Sequence, residues 1–158
     1  GHGLQGFVMP VDYDGHHNKL MHEDIKFMLE NSRAKHKVVF ADACHSGSLL
    51  ARRGPVGGDL SRLYTAFEQT KGGLALMMSS KGEEYSLEDG GLRSGIFSHF
   101  LVRGLKGEAD RNGNGIIDIQ ELFDYVHQQV RRYTGNVQTP TLTGEFDASM
   151  PISVVREE

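Results

Sequence analysis

Apolar positions along this chain switch between two periodicities. Lys37-Val38-Val39-Phe40-Ala41-Asp42-Ala43-Cys44 is a short continuous run rich in β-branched and aromatic side chains, the pattern of a parallel strand buried on both faces. Gly73 to Ser80, reading GLALMMSS, predicts a second such strand that ends in two serines. Phe7-Val8-Met9-Pro10 reads as a shorter strand stopped by its proline. Elsewhere the spacing is helical. Ile25, Met28 and Leu29 predict a helix over 21–32, and Ile96, Phe97, Phe100, Leu101 and Leu105 predict one over 95–105. Ile119, Leu122, Phe123, Val126 and Val130 place a third over 118–133. The Asp, Gly and His-rich stretch 11–18 and the Ser, Gly, Arg and Pro-rich stretch from His45 to about Gly58 read as loops. Residues 140–155 read as a loop plus one terminal strand. Strands alternating with helices imply a layered α/β domain, and no internal repeat is present.

Composition narrows the function classes. A chain of 158 residues with 38% hydrophobic content has the size and apolar material of one domain. No apolar run reaches the roughly 18 to 20 residues of a bilayer span, and no signal segment opens the chain, so a soluble protein with no membrane partner is expected. The net charge is −4, and the 17 Lys and Arg residues are scattered apart from the pairs Arg52-Arg53 and Arg131-Arg132. Nucleic acid is therefore not expected as a partner. A single cysteine excludes an internal disulfide framework and a cysteine-rich zinc site. Its absence of disulfides is compatible with a reducing cytoplasm, slightly favoured here, and with export.

Cys44 is either a small buried hydrophobe or a chemical group. It ends a strand and opens a glycine-containing loop, the place where open α/β sheets put their binding crevices. Gly1-His2-Gly3 precedes another short apolar run, so His2 can lie at the end of an adjacent strand, where glycines let backbone approach a ligand. The two side chains can then meet.

Asp42-Ala43-Cys44-His45-Ser46-Gly47 resembles the Asp-x-Cys-His-Ser-Gly motif of metacaspases and bacterial orthocaspases, and Gly1-His2-Gly3 resembles the end of their Ser-Gly-His-Gly motif. The histidine stands 42 residues before the cysteine, close to the roughly 50 residues of caspases. The likeness continues through Pro10-Val11-Asp12-Tyr13, the Ser79-Ser80 strand end and Gly95-Ile96-Phe97-Ser98, and so covers nearly the whole chain. The resemblance implies a caspase-like cysteine peptidase of family C14 with the caspase-hemoglobinase fold: a layered sheet of mostly parallel strands with helices on both faces. That family places several strands and helices before the histidine. The expectation is therefore that residues 1–158 are the C-terminal portion of the domain, which would be completed by an upstream segment.

By the same resemblance Cys44 and His2 are the catalytic pair, the backbone amides of Gly3 and Cys44 form the oxyanion hole, and the Ser79-Ser80 strand end belongs to the substrate-binding set. His45 adjoins Cys44 and points to the opposite side, which makes it a poor general acid. Asp42 lies two residues before Cys44 and so on the same strand face, where a carboxylate attracts a basic P1 side chain and repels the aspartate that true caspases accept. The expected substrates are proteins or peptides cleaved after Arg or Lys. The alternative for Asp42 is a structural carboxylate that satisfies nearby amides. Arg52, Arg53 and Arg62 are either self-cleavage sites or a solvated basic loop.

Residues Asp110-Arg111-Asn112-Gly113-Asn114-Gly115-Ile116-Ile117-Asp118-Ile119-Gln120-Glu121 match an EF-hand loop. Asp110, Asn112, Asn114, Asp118 and Glu121 supply side-chain oxygens, the Ile116 carbonyl supplies one from the backbone, and Gly115 takes the turn position. Two predicted helices flank it, as the motif requires. Ca2+ is the expected ion, with no cofactor needed for the chemistry. Two neutral Asn ligands and the lack of a partner loop leave a self-satisfied Asx-Gly turn as the alternative. Glu23-Asp24 reads as helix N-terminal charge or as part of a separate acidic calcium site of the metacaspase kind. The function expected is a cysteine endopeptidase. The competing readings are a catalytically silent calcium-binding scaffold of the same fold and a separase-like or gingipain-like peptidase.

Overall fold

The computed structural model describes residues 7–8, 14, 16–17, 20–42, 73–80, 88–89 and 94–155. In chain order these form β1 (Phe7–Val8), β2 (Leu20–Met21), α1 (His22–Asn31), β3 (His36–Ala41), β4 (Gly73–Met78), β5 (Glu88–Asp89), β6 (Ser94–Gly95) and α2 (Ile96–Arg103). A five-residue π-helical segment, Gly104–Glu108, then leads to β7 (Ile116–Asp118), α3 (Ile119–Tyr133), β8 (Thr141–Thr143) and β9 (Pro151–Val154). The central sheet has the order β3-β4-β8. Its β3–β4 pair is parallel, running from His36 opposite Gly73 to Ala41 opposite Met78, and β8 joins β4 antiparallel. The two-stranded pairs β1–β2, β5–β6 and β7–β9 are antiparallel.

β4 is the centre of the packing. Leu74, Ala75, Leu76, Met77 and Met78 are each at most 2% exposed, as expected of a strand covered on both sides. Period-two alternation sorts its side chains. Ala75 and Met77 join Ile96, Phe97, Phe100 and Leu101 of α2 and Ile119, Leu122, Val126 and Val130 of α3 in one cluster. Leu74, Leu76 and Met78 form a second, against Ile25 and Leu29 of α1 and Val39 and Ala41 of β3. β3 itself is less covered than its composition suggested, being half-buried at most positions with Phe40 exposed.

The helical stripes follow their spacing. Ile119, Leu122, Val126 and Val130 are all fully buried, each contributing roughly 2 kcal/mol of transfer free energy. Asp118 starts α3 with a reciprocal cap: its carboxylate accepts the Glu121 N–H at 2.7 Å, and Glu121 accepts the Asp118 N–H at 3.4 Å. On α1, Ile25 and Leu29 face the core, whereas Met28 is 56% exposed. The i, i+4 pair fixes the buried line, and Met28 falls on its shoulder. Asp24 accepts the Met21 N–H at 3.3 Å, a helix-start contact of the kind its position predicted. Beyond α2, Arg103 Nε and the Tyr125 hydroxyl both donate to Glu108, at 2.6 and 2.5 Å. The Arg103 hydrogen bond, ahead of that from Tyr125, lowers the Glu108 pKa, and burial pushes Tyr125 up to about 12. The C-terminal region holds two strands rather than the expected one, because the short Thr141–Thr143 segment pairs with the edge of β4.

Candidate active site

Parallel β3 and β4 bring their carboxyl ends to the same side. Ala41 lies opposite Met78, and the Ser79 N–H donates to the Ala41 carbonyl at 3.0 Å. Asp42 and Ser79-Ser80 therefore emerge next to each other where an α/β sheet opens its crevice. The antiparallel register of β8, with Thr141 opposite Met78, carries the preceding residues Gln138, Thr139 and Pro140 past the same strand end. Gln138 is fully buried, and its Nε2 donates to the Ser79 carbonyl at 2.8 Å. Ser79 and Ser80 are 2% exposed and Thr139 9%. A buried polar cluster thus caps the sheet, its groups held by hydrogen bonds as burial requires.

The Asp42 side chain is half-buried and meets the start of α2. Ser98 Oγ donates to Asp42 Oδ2 at 2.5 Å, and a Cβ built on Gly95 would lie 2.6 Å from that same oxygen. Of the predicted site residues, Asp42, Ser79 and Ser80 are brought together. His2, Gly3 and Cys44 lie outside the described residues, as do His45 and the arginines at 52, 53 and 62. Sequence reasoning missed the parts of Gly95, Ser98 and Gln138. A serine three residues after a glycine at an apolar helix start signals a local cap, whereas here its hydroxyl serves a carboxylate 56 positions away in sequence. Gln138 gave no signal beyond being a polar residue before a Thr-Pro pair.

The predicted metal residues form one closed loop. Asp110 accepts the N–H groups of Gly113 and Gly115, both at 2.9 Å, Asn112 accepts that of Asn114 at 2.9 Å, and Asn114 accepts that of Ile116 at 2.8 Å. Glu121 closes the ring by accepting from Asn112 Nδ2 at 2.7 Å. Gly113 and Gly115 take φ of 71° and 77°, the left-handed region that glycine adopts without strain. The loop's exit is fixed: Ile117 is fully buried, and β7 pairs with β9 through Ile116 opposite Val154 and Ile117 opposite Ser153. The terminal strand thus stands where a second loop of a pair would stand. This oxygen set, hard and partly anionic, suits Ca2+. Its hydrogen bonds also satisfy the Asx-Gly turn alternative, and among the described residues no three His, Cys, Asp or Glu side chains cluster as a metal site.

The fold is that of a mixed α/β domain, and this strand-end cluster is its candidate site. The caspase domain family matches residues 1–149, and the chain belongs to that family of cysteine peptidases, peptidase family C14. No curated protein matches the chain. Among solved structures it is similar to protein GSU0716 from Geobacter sulfurreducens, with a TM-score of 0.52 and 21% identity over 96% of this chain and 69% of that one. At that identity the likeness speaks for the fold. No helix among the described residues is long and apolar enough to cross a membrane.

Proposed function

We propose that the chain is a cysteine endopeptidase that cleaves protein substrates after Arg or Lys, with Cys44 as nucleophile and His2 as its acid-base partner. The observation that carries this reading is the caspase-domain match across residues 1–149, which spans both motifs, with Asp42 at the carboxyl end of the parallel β3–β4 pair. The Cys44 thiolate, far more nucleophilic than a thiol, attacks the scissile carbonyl carbon. The amides of Gly3 and Cys44 hold the resulting oxyanion, each such donor being worth ~3 kcal/mol. As the C–N bond breaks, the His2 imidazolium gives its proton to the leaving amine, and water, deprotonated by His2, then hydrolyses the thioester. Asp42 receives the P1 cation, flanked by the Ser79-Ser80 strand end. The arginines at 52, 53 and 62 are the candidate self-cleavage sites, and Ca2+ held by Asp110, Asn112, Asn114, Ile116, Asp118 and Glu121 modulates the domain.

Support for the calcium part is the loop's fixed shape and its pairing with β9. A cytoplasmic setting belongs to the same proposal. The test is hydrolysis of fluorogenic peptides ending in Arg, Lys or Asp, comparing wild type with Cys44→Ala, in calcium and in chelator. Arg or Lys cleavage that disappears in Cys44→Ala supports the reading. Asp cleavage would overturn the pocket assignment and keep the enzyme. No cleavage alongside calcium binding would favour the scaffold alternative.

A further inference from the structure

The strand-end carboxylate is seated by an element that is remote in sequence. Ser98 Oγ donates to Asp42 Oδ2 at 2.5 Å. Gly95 lies close against the Oδ2 side of the same carboxylate, since a Cβ there would sit 2.6 Å from Oδ2, 3.4 Å from Cγ and 3.5 Å from Oδ1. Its backbone, φ −57° and ψ 146°, is open to any residue, so what the position demands is space. Gly95 is the N-cap of α2 and Ser98 lies in its first turn, which does not yield: Ile96 and Phe97 between them are 4% and 1% exposed and packed in the larger core cluster.

We propose that Gly95 and Ser98 are positioning residues that fix the plane of the Asp42 carboxylate and thereby make the pocket select Arg over Lys at P1. The inference rests on the reading of Asp42 as the P1 pocket. A guanidinium is a planar fork whose two N–H groups match a carboxylate only when the planes are aligned, whereas an ammonium is a point charge that gains little from alignment. Each carboxylate oxygen offers two lone-pair sites, so the Ser98 hydroxyl and a guanidinium N–H can share Oδ2. A carboxylate already held in one rotamer also loses less freedom when the substrate arrives.

The experiment measures kcat and KM of the full chain on paired peptides differing in P1 Arg or Lys, for wild type, Asp42→Asn, Ser98→Ala, Ser98→Thr and Gly95→Ala. Ser98→Ala should raise KM for the Arg peptide about tenfold, the scale of one charge-assisted hydrogen bond, with a smaller change in kcat and a smaller effect on the Lys peptide. Ser98→Thr, which keeps the hydroxyl, should restore the Arg preference, and Gly95→Ala should resemble Ser98→Ala. If Asp42→Asn leaves P1 preference intact, the pocket reading itself fails. If Asp42→Asn abolishes the preference but Ser98→Ala leaves the Arg-to-Lys ratio within twofold, the positioning role is wrong and the pocket stands. Equal loss on both peptides in Ser98→Ala, without rescue by threonine, assigns the contact to folding and overturns the proposal. A wild type that cleaves neither peptide overturns both.

Discussion

Gln138 is a sharp test of how the strand ends are held. It is fully buried, and its Nε2 donates to the Ser79 carbonyl at 2.8 Å, tying the segment before β8 to the end of β4. Gln138→Met keeps most of the volume and removes the donor. The buried carbonyl then loses its partner, at a cost of about 1–3 kcal/mol. Gln138→Ala loses the same bond and one buried methylene, near 0.8 kcal/mol, for a total of about 2–4 kcal/mol. With a urea m-value of about 2 kcal/mol per molar, the unfolding midpoint should fall by roughly 0.5–1.5 M for Met and 1–2 M for Ala. Far-UV circular dichroism is the suitable probe in a protein without tryptophan. A Met variant that unfolds with wild type while Ala falls by more than about 1 M would show that packing, and not the hydrogen bond, secures the strand end. Midpoints unchanged in both would refute the account of Gln138 altogether.

Saturating Ca2+, at about 100 times its dissociation constant, should stabilise by about 2.7 kcal/mol and raise the melting temperature roughly 5–10 °C. Glu121→Gln should abolish that rise, and a wild-type melt identical in calcium and chelator would leave the loop as a plain turn. Gly144, at φ 110°, faces the Leu74 backbone, and a Cβ there would run into the Leu74 carbonyl oxygen. Gly144→Ala should destabilise by about 2 kcal/mol or more, read by thermal melting; a change below about 0.5 kcal/mol would contradict this close approach. Tyr125, raised from 10.0 to about 12 by burial and then by its bond to Glu108, keeps its proton longer folded than unfolded. Its contribution is therefore complete below pH 10 and is lost as pH rises towards 12. Tyr125→Phe should flatten that part of an alkaline stability profile, and an unchanged slope would argue against the shift.

The elements that depended on local pattern were legible in the sequence. The β4 run, the α3 stripe from Ile119 to Val130 and the α2 face each follow from side chains within one or two turns of one another. What failed was local ambiguity: Met28 looked equivalent to Ile25 and Leu29 until packing chose the line facing Leu74, Leu76 and Met78.

The family, the strand that leads to Asp42, and the spacing of oxygens from Asp110 to Glu121 were readable from residue order, because each is written in consecutive residues. Long-range contacts came only with folding: β9 pairs with the loop at β7, Gln138 secures Ser79, and Gly95 and Ser98 seat the Asp42 carboxylate. Those contacts join segments dozens of residues apart. No periodicity encodes them, since they exist only once burial of β4 has brought its neighbours to the same end of the sheet.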